Sequence, residues 1–351
     1  RKNRIIIGLT GLMVSCGLNN RKESDSLVQK PNILLILADD QGWGDIRIHG
    51  NSFVETPVLD SFARHGIELT NFYMSPMSSP SRASLLTGRY FLRTGVRHVK
   101  FLYDNMRLEE YTLAEALKEN GYKTACIGKW HNGHQYPYTP NGQGFDEFIG
   151  FSAGHLSNYF DAKLEHNNGK IETKGYITDV LTDYALKFIT QNSDKPFFCY
   201  IPFNAPHDPY QVPDQYFNTY KKKGLNDTLA CIYGMCENID NNFKRVINIL
   251  DSLNIADRTI IIFLTDNGPQ TYRYNAGMKG IKGHVDEGGV HVPLLIKYGN
   301  HFLPMKIDQV TANIDILPSI ADLLKLNLPK DLKFDGKSFI PVINKMMKTD
   351  E

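Results

Sequence analysis

Net charge is nearly absent from this chain. Its 351 residues hold 39 Lys and Arg against 38 Asp and Glu, a formal +1. A nucleic-acid binder needs a basic face over the phosphate backbone. No nucleic-acid partner is therefore expected, and any recognition of an anion has to be local. Cysteine is scarce as well: five residues, with no CxxC pair and no Cys/His spacing suited to zinc. Cys126 and Cys199 sit in apolar runs and read as buried thiols. Cys231 and Cys236 lie five apart in a helical stretch, poor geometry for a mutual bridge. Internal repeats and low-complexity tracts are missing, which excludes a solenoid or a disordered array. No apolar run reaches the ~20 residues of a membrane-spanning helix. Present instead are 42% hydrophobic residues, enough for one large α/β domain or two domains with a sizeable core.

The N-terminal segment differs from the rest. Arg1, Lys2 and Arg4 form a basic start, and Ile5 to Val14 an apolar run. Met13-Val14-Ser15-Cys16 resembles a bacterial lipobox. The expectation is a lipoprotein-type signal over 1–15, a polar tether over 16–30 that begins with a lipid-bearing Cys16, and a folded domain over 31–351. Such a chain is exported and lipid-anchored to a membrane, in the periplasm or at the outer-membrane surface.

Asn32 to Ala38 is a continuous apolar run ending in Asp39-Asp40, as in a strand buried on both faces of a parallel sheet. Lys123 to Ile127 reads as another strand, ending in Gly128-Lys129-Trp130-His131. Pro196 to Pro202 ends before Asn204-Ala205-Pro206-His207, and Thr259 to Leu264 ends in Thr265-Asp266-Asn267-Gly268. Val292 to Ile296 is a further strand. Helices alternate with them. Thr56-Pro57 starts one that runs to Gly66, and the capping box from Thr112 to Glu115 opens one that ends at Gly121. Apolar residues from Leu229 to Leu250 step by three or four, and Asp315 to Leu324 forms another helix. This alternation predicts an α/β fold with a mostly parallel central sheet and helices on both faces. Function then belongs beyond the carboxyl ends of the strands, where every charged cluster named above lies. Residues 132–176, rich in Gly, Asn, His and Tyr, read as a loop excursion over the site, with a hairpin turn at His166-Asn167-Asn168-Gly169.

The densest chemistry lies in Ser78-Ser79-Pro80-Ser81-Arg82-Ala83-Ser84-Leu85-Leu86-Thr87-Gly88-Arg89. Pro80 presets φ, so a helix from Ser81 to Leu86 can start directly behind Ser78. Free N–H groups and the helix dipole then favour an anion near Ser78. Arg82 adds a cation that cannot be deprotonated. Asp39, Asp40, Asp266 and Asn267 offer hard oxygen ligands and no soft ones, which suits Ca²⁺ or Mg²⁺ rather than zinc. A cation between these carboxylates relieves their repulsion. Lys129, His131, His207 and Lys282 form with Arg82 a cationic pocket for an anionic ester. Glu287 reads as structural, with Gly288 and Gly289 allowing a tight backbone path.

The Ser-x-Pro-Ser-Arg string, followed by Thr87-Gly88-Arg89, resembles the activation signature of type I, formylglycine-dependent sulfatases. Gly128-Lys129-Trp130-His131 is similar to that family's Gly-Lys-Trp-His-Leu-Gly, with Asn132 in place of Leu. The stretch from Lys282-Gly283 to Glu287-Gly288-Gly289 is similar to its Lys-Gly-x-x-x-Glu-Gly-Gly. The resemblance extends from Pro31 to about Pro341 and implies the alkaline phosphatase-like sulfatase fold. The smaller C-terminal subdomain of that fold is expected to be missing or truncated after Asp335-Gly336-Lys337-Ser338. Many relatives carry Cys where this chain has Ser78. The serine variant resembles bacterial sulfatases in which a radical maturase converts Ser to formylglycine, although an inactive Cys→Ser form would carry the same residue.

The resemblance further implies one divalent cation, Ca²⁺ before Mg²⁺, held by Asp39, Asp40, Asp266, Asn267 and residue 78. Arg82, Lys129 and Lys282 would hold sulfate oxygens. The hydrated aldehyde at position 78 would attack sulfur, and His207 or Lys282 would protonate the leaving alcohol. His131 would take the proton for the collapse that expels sulfate. Likeness to carbohydrate-foraging bacterial sulfatases points to a sulfated saccharide of galactose or N-acetylgalactosamine type. His155, Asn158, Tyr159 and Asp161 are candidates to read sugar hydroxyls. Two competing readings are a phosphomonoester or phosphonate hydrolase with an unmodified Ser and a second metal, and a non-catalytic pseudosulfatase that binds sulfated glycans.

Overall fold

A computed structural model describes residues 30–167 and 169–349. The expected signal segment, Cys16, the tether up to residue 29, and Asn168 of the expected turn lie outside the described residues. The strands are β1 (Asn32–Ala38), β2 (Ile67–Leu69), β3 (Phe72–Tyr73), β4 (Lys123–Lys129), β5 (Glu147–Phe151), β6 (Lys163–His166), β7 (Gly169–Glu172), β8 (Phe197–Pro202), β9 (Thr259–Thr265), β10 (Leu294–Tyr298), β11 (Met305–Ile307) and β12 (Thr311–Ala312). The α-helices are α1 (Pro57–Arg64), α2 (Ser78–Thr87), α3 (Leu113–Glu119), α4 (Ile177–Gln191), α5 (Asp214–Lys222), α6 (Asp227–Ser252), α7 (Glu287–Val290), α8 (Ile316–Leu324) and α9 (Ile340–Thr349).

Ten strands form one sheet in the order β11-β2-β10-β9-β1-β8-β4-β5-β6-β7. Its centre, from β9 through β5, is parallel. Successive side chains of a strand point to opposite faces, so each apolar run feeds two cores. Ile33, Leu35 and Leu37 of β1 join residues of α2, α3, α8 and α9 on one face. Leu34, Ile36 and Ala38 join α1, α4 and α6 on the other. This burial on both faces is why the central strands carry no polar alternation. The capping box at Thr112 forms as expected, with Thr112 Oγ1 accepting from Glu115 N and Glu115 accepting from Thr112 N. Cys126, Cys199, Cys231 and Cys236 are all free.

The mostly parallel sheet is as expected, with strand β10 pairing antiparallel to β9 to give a mixed flank. Two other expectations change. Residues 132–176 are not only a loop excursion. Glu147–Phe151 forms a parallel strand beside β4, and β6 and β7 continue the sheet as an antiparallel hairpin. Helix α2 begins at Ser78 itself rather than behind it. Pro80 occupies the third helical position, where its missing N–H would have had no intrahelical partner.

The functional consequence is at the carboxyl edge. Ala38 pairs with Thr265 in the β1–β9 register, so Asp39 and Asp266 leave adjacent strands side by side. Lys129 closes β4, and the Asn204–His207 turn follows β8. Four neighbouring parallel strands therefore deliver their chemistry to one place.

Candidate active site

Ser78, 1% exposed, is the first residue of α2. Its Oγ lies 2.5 Å from Asp266 Oδ2 and 3.0 Å from Asp39 Oδ1. Asp39, Asp40 and Asp266 are fully buried and present carboxylate oxygens within 4.8 Å of one another. Asn267 Nδ2 donates to Asp40 Oδ1 at 2.7 Å, while its buried Oδ1 has no hydrogen-bond partner. An orphaned buried acceptor beside three carboxylates fits a hard divalent cation, and the donors are all oxygen.

Cations surround this cluster. Lys129 Nζ lies 2.6 Å from Asp39 Oδ2, and Arg82 Nη2 lies 2.9 Å from Asp266 and 3.4 Å from Asp39. Lys282 Nζ lies 2.6 Å from Asp40 Oδ1. Burial disfavours a charged Asp39, but Lys129, His207 and Arg82 outweigh it and hold the carboxyl well below the usual range. Burial likewise opposes the Lys282 charge, yet Asp40, Asp39 and Asp266 raise its pKa above the ordinary ammonium.

The two histidines differ in setting. His131 adopts φ +58°, and its Nε2 lies 3.1 Å from the Val99 carbonyl. That contact requires the proton on Nε2 and leaves the buried, unpartnered Nδ1 with a lone pair. Burial, reinforced by Lys129, pushes the His131 pKa well below its ordinary value, so the ring is neutral. The ring lies against Gly154, where an added Cβ would come within 2.2 Å of Nε2. His207 Nδ1 lies 2.6 Å from the Asp208 carbonyl and 3.0 Å from its carboxylate. Its proton is thereby placed on Nδ1, and Nε2 lies 3.8 Å from Asp40. Ser78, His131, His155, His207 and Lys282 line a common cavity of about 300 Å³.

The sequence-predicted site residues thus converge: Ser78, Arg82, Lys129, His131, His207 and Lys282 gather around Asp39, Asp40, Asp266 and Asn267. The proposed sugar readers divide. His155 lines the cavity. Tyr159 is buried, and its hydroxyl contacts the carbonyls of His207 and Asp208 at 3.1 and 2.8 Å. Asn158 bonds to the Phe160 backbone and Asp161 to Gly175 N, so both serve their own loops. Glu287 accepts from Tyr73 and meets His291, a structural role. A Cβ on Gly288 or Gly289 would fall 2.3 or 2.1 Å from a backbone oxygen, so the tight path holds.

Two supporting residues escaped the sequence reading. Arg273 binds Asp45 through Nε and Nη2 and donates from Nη2 to the Asp40 carbonyl at 2.9 Å. It fixes the backbone where Asp40 takes φ +66°. No spacing marks Arg273 in the chain. Asp208 orients His207, and its only signal is adjacency to that histidine.

This sheet, with an acid-lined serine heading a helix at its carboxyl edge, defines an alkaline phosphatase-like fold of the sulfatase type. The chain belongs to the sulfatase family, whose sequence profile, described as Sulfatase, matches residues 31–326. An uncharacterized sulfatase, YdeN, of Escherichia coli K12 is 31% identical over 89% of this chain and 66% of its own length. Human N-acetylgalactosamine-6-sulfatase is 30% identical over 90% of this chain and 66% of its own. The chain therefore spans just under two thirds of the length of these relatives. Among solved structures, Ps i-CgsB in complex with k-i-k-neocarrahexaose superposes with a TM-score of 0.83 at 30% identity, covering 90% of this chain and 77% of that one. A phosphonate monoester hydrolase of Agrobacterium radiobacter shares the fold at a TM-score of 0.70 and 20% identity, covering 90% of this chain and 77% of that one.

Proposed function

We propose that this chain hydrolyses sulfate esters of carbohydrates, using Ser78 after its conversion to formylglycine. The carrying observation is Ser78 Oγ between Asp39 and Asp266 at the head of α2, with Arg82 and Lys129 buried beside it. A plain serine is a weak nucleophile at neutral pH. The aldehyde requires only the loss of two hydrogens from the Ser78 side chain, which a radical maturase takes.

Asp39, Asp40, Asp266, Asn267 and residue 78 would hold a divalent cation, with Ca²⁺ the fitting ion for an all-oxygen set. When bound, the ion supplies Lewis acidity toward the attacking oxygen and the sulfuryl oxygens. Arg82 and Lys129 place fixed positive charge where the transition state gathers negative charge. His131 Nδ1 takes the proton from position 78 during release of sulfate. Lys282 stays cationic beside Asp40 and keeps its proton, so delivery to the leaving alcohol falls to His207 as an imidazolium. Asp208 holds Nδ1–H, Nε2–H goes to the alcohol, and the ring is left neutral. The saccharide class is supported by the N-acetylgalactosamine-6-sulfatase relative and by the carrahexaose-bound neighbour. The basic-apolar start and Cys16 support an exported, lipid-anchored protein.

Mass spectrometry of the tryptic peptide from His65 to Arg82, from the native host, tests the chemistry. A peptide two hydrogens lighter than encoded is expected. An unmodified serine would remove the nucleophile.

A second reading has its own observation. His155, His207 and Asp208 lie close enough to share an ion, as a two-metal phosphomonoesterase would need. Two tightly bound ions per chain, with phosphate monoesters turned over faster than sulfates, would favour it.

A further inference from the structure

Charge in this chain is balanced overall but not locally. Residues 89–107 carry five cations, Arg89, Arg93, Arg97, Lys100 and Arg107, against a single carboxylate, Asp104. Asp104 is buried and held by His134 Nε2 at 2.7 Å, so it neutralises none of the surface. Arg89 is committed to Glu110 and Arg93 to Asp335. Among the described residues, the side chains of Arg97 and Lys100 form no hydrogen bond or ion pair, and both are exposed. Neither side chain is tied to the fold, so both charges are free to meet an anion from solution.

The segment is ordered by its own backbone. Arg97 N donates to Tyr103 O at 2.8 Å, and Arg107 N to Thr94 O at 2.9 Å. Met106 N donates to the carbonyl of Asn132, one residue after His131. Gly95, at φ +88°, lets the Arg107 stem cross the turn, since a Cβ there would fall 2.7 Å from Arg107 Cγ. The tip carries Phe101, Leu102 and Tyr103 at 59, 67 and 56% exposure.

The turn also touches the reaction site. The Val99 carbonyl is the partner of His131 Nε2, and Val99 lines the cavity of Ser78. Arg97 and Lys100 lie two and one residues from Val99, so their Cα atoms are within about 7 and 4 Å of its own. The same turn lines a second cavity of about 460 Å³, through Arg97, Leu102, Tyr103 and Arg107, with Tyr138 and with Glu109 as its one carboxylate. One short turn therefore contributes to the walls of both cavities. Unpaired cations attract a second anionic group at this range, well inside a Debye length. Exposed aromatic rings beside them present flat apolar faces of the kind a sugar ring can cover.

We propose that the 97–107 turn is an accessory subsite for a second sulfate, which makes the preferred substrate a saccharide sulfated at more than one position. Arg97 and Lys100 hold the additional sulfate while the scissile one sits at residue 78, and Tyr103 supports the intervening sugar. This rests on the sulfatase reading of the Ser78 site.

The test uses the full, matured chain and 4-methylumbelliferyl sulfate, which carries a single sulfate and so has no second one for Arg97 and Lys100 to hold. Sucrose octasulfate and galactose 6-sulfate are compared as inhibitors, and calorimetry gives their affinities directly. Sucrose octasulfate should compete with the aryl sulfate and bind at least tenfold more tightly than the monosulfated sugar. Arg97→Ala combined with Lys100→Ala should erase that tenfold and leave kcat/KM for the aryl sulfate unchanged. Equal affinities for the two sugars, non-competitive inhibition, or a double variant that still prefers the octasulfate would overturn the subsite. So would a stronger dependence on these two residues for binding anionic phospholipid vesicles, which would make the turn a membrane contact. If the aryl sulfate is not hydrolysed at all, the sulfatase reading fails on its own, and calorimetry with the two sugars still decides whether the turn selects multiple sulfates.

Discussion

Asn132 Nδ2 lies 3.0 Å from the carbonyl oxygen of Ser79 and 3.2 Å from its hydroxyl, both side chains fully buried. The loop behind His131 is thereby clamped to the first turn of α2, one residue from Ser78. Asn132 stands where the resembling motif has Leu, so the departure from that motif carries a bond of its own. Asn132→Leu is expected to leave the Ser79 carbonyl without this donor and to lower stability by about 1–2 kcal/mol. Denaturant unfolding measures the loss. In the same variant kcat should fall more than KM rises, because the clamp positions residue 78 rather than binding substrate.

Ser78→Ala should abolish turnover of 4-methylumbelliferyl sulfate while leaving the circular dichroism spectrum unchanged. Residual turnover above about 1% of the parent rate, on the scale where each tenfold is 1.36 kcal/mol, would mean that another group attacks.

Chelation should inactivate the protein and lower its melting temperature together, since removing a cation restores repulsion among Asp39, Asp40 and Asp266. Added Ca²⁺ at about a hundred times its dissociation constant should return about 2.7 kcal/mol of stability. Asn267→Ala should raise the Ca²⁺ concentration needed for half-recovery. Recovery with Zn²⁺ alone would contradict the oxygen-ligand assignment.

Arg273→Met should cost about 3–5 kcal/mol, because it leaves Asp45 buried without its partner. Thermal unfolding is the measurement. Arg273→Lys should rescue only part, since a lysine cannot bind Asp45 and the Asp40 carbonyl through one planar fork.

Asp240 gives a pH dependence away from the active site. Its carboxylate accepts from Leu59 N at 2.7 Å and Val58 N at 3.1 Å at the head of α1. Burial, aided by Asp60 and Glu237, pushes its pKa up to about 7. The folded chain therefore holds this proton more tightly than the unfolded chain, where the value is about 3.9. The contribution to stability is fully present below about pH 4 and is lost as pH rises through 7. The slope approaches about 1.4 kcal/mol per pH unit between those limits. Asp240→Asn should remove that component from the stability profile measured between pH 4 and 8; an unchanged slope would refute it.

The central sheet was legible because parallel strands buried on both faces leave unbroken apolar runs, as in Asn32–Ala38 and Thr259–Thr265. The carboxyl-end rule then locates Asp39, Asp40, Asp266, Lys129 and His207 from sequence alone. Glu147–Phe151 was lost among glycines and tyrosines because five residues between turns carry too little periodicity. The start of α2 differs because Pro80 reads in sequence as the lead-in to a helix at Ser81, whereas it is the third residue of a helix that starts at Ser78. Arg273 and Asn132 were not assigned their roles, since each acts through a bond to a residue more than fifty positions away.

The acidic cluster is divided along the chain: Asn267 meets Asp40 across 227 positions, and only the pairing of β1 with β9 brings them together. Contacts of such separation are slow to form during folding. Turnover can therefore serve as a clock for assembly. A refolding sample regains activity only after two strands more than two hundred positions apart have met in register, whereas helix signals can return earlier. A slip of one residue between those strands would leave a chain rich in secondary structure and silent in the assay.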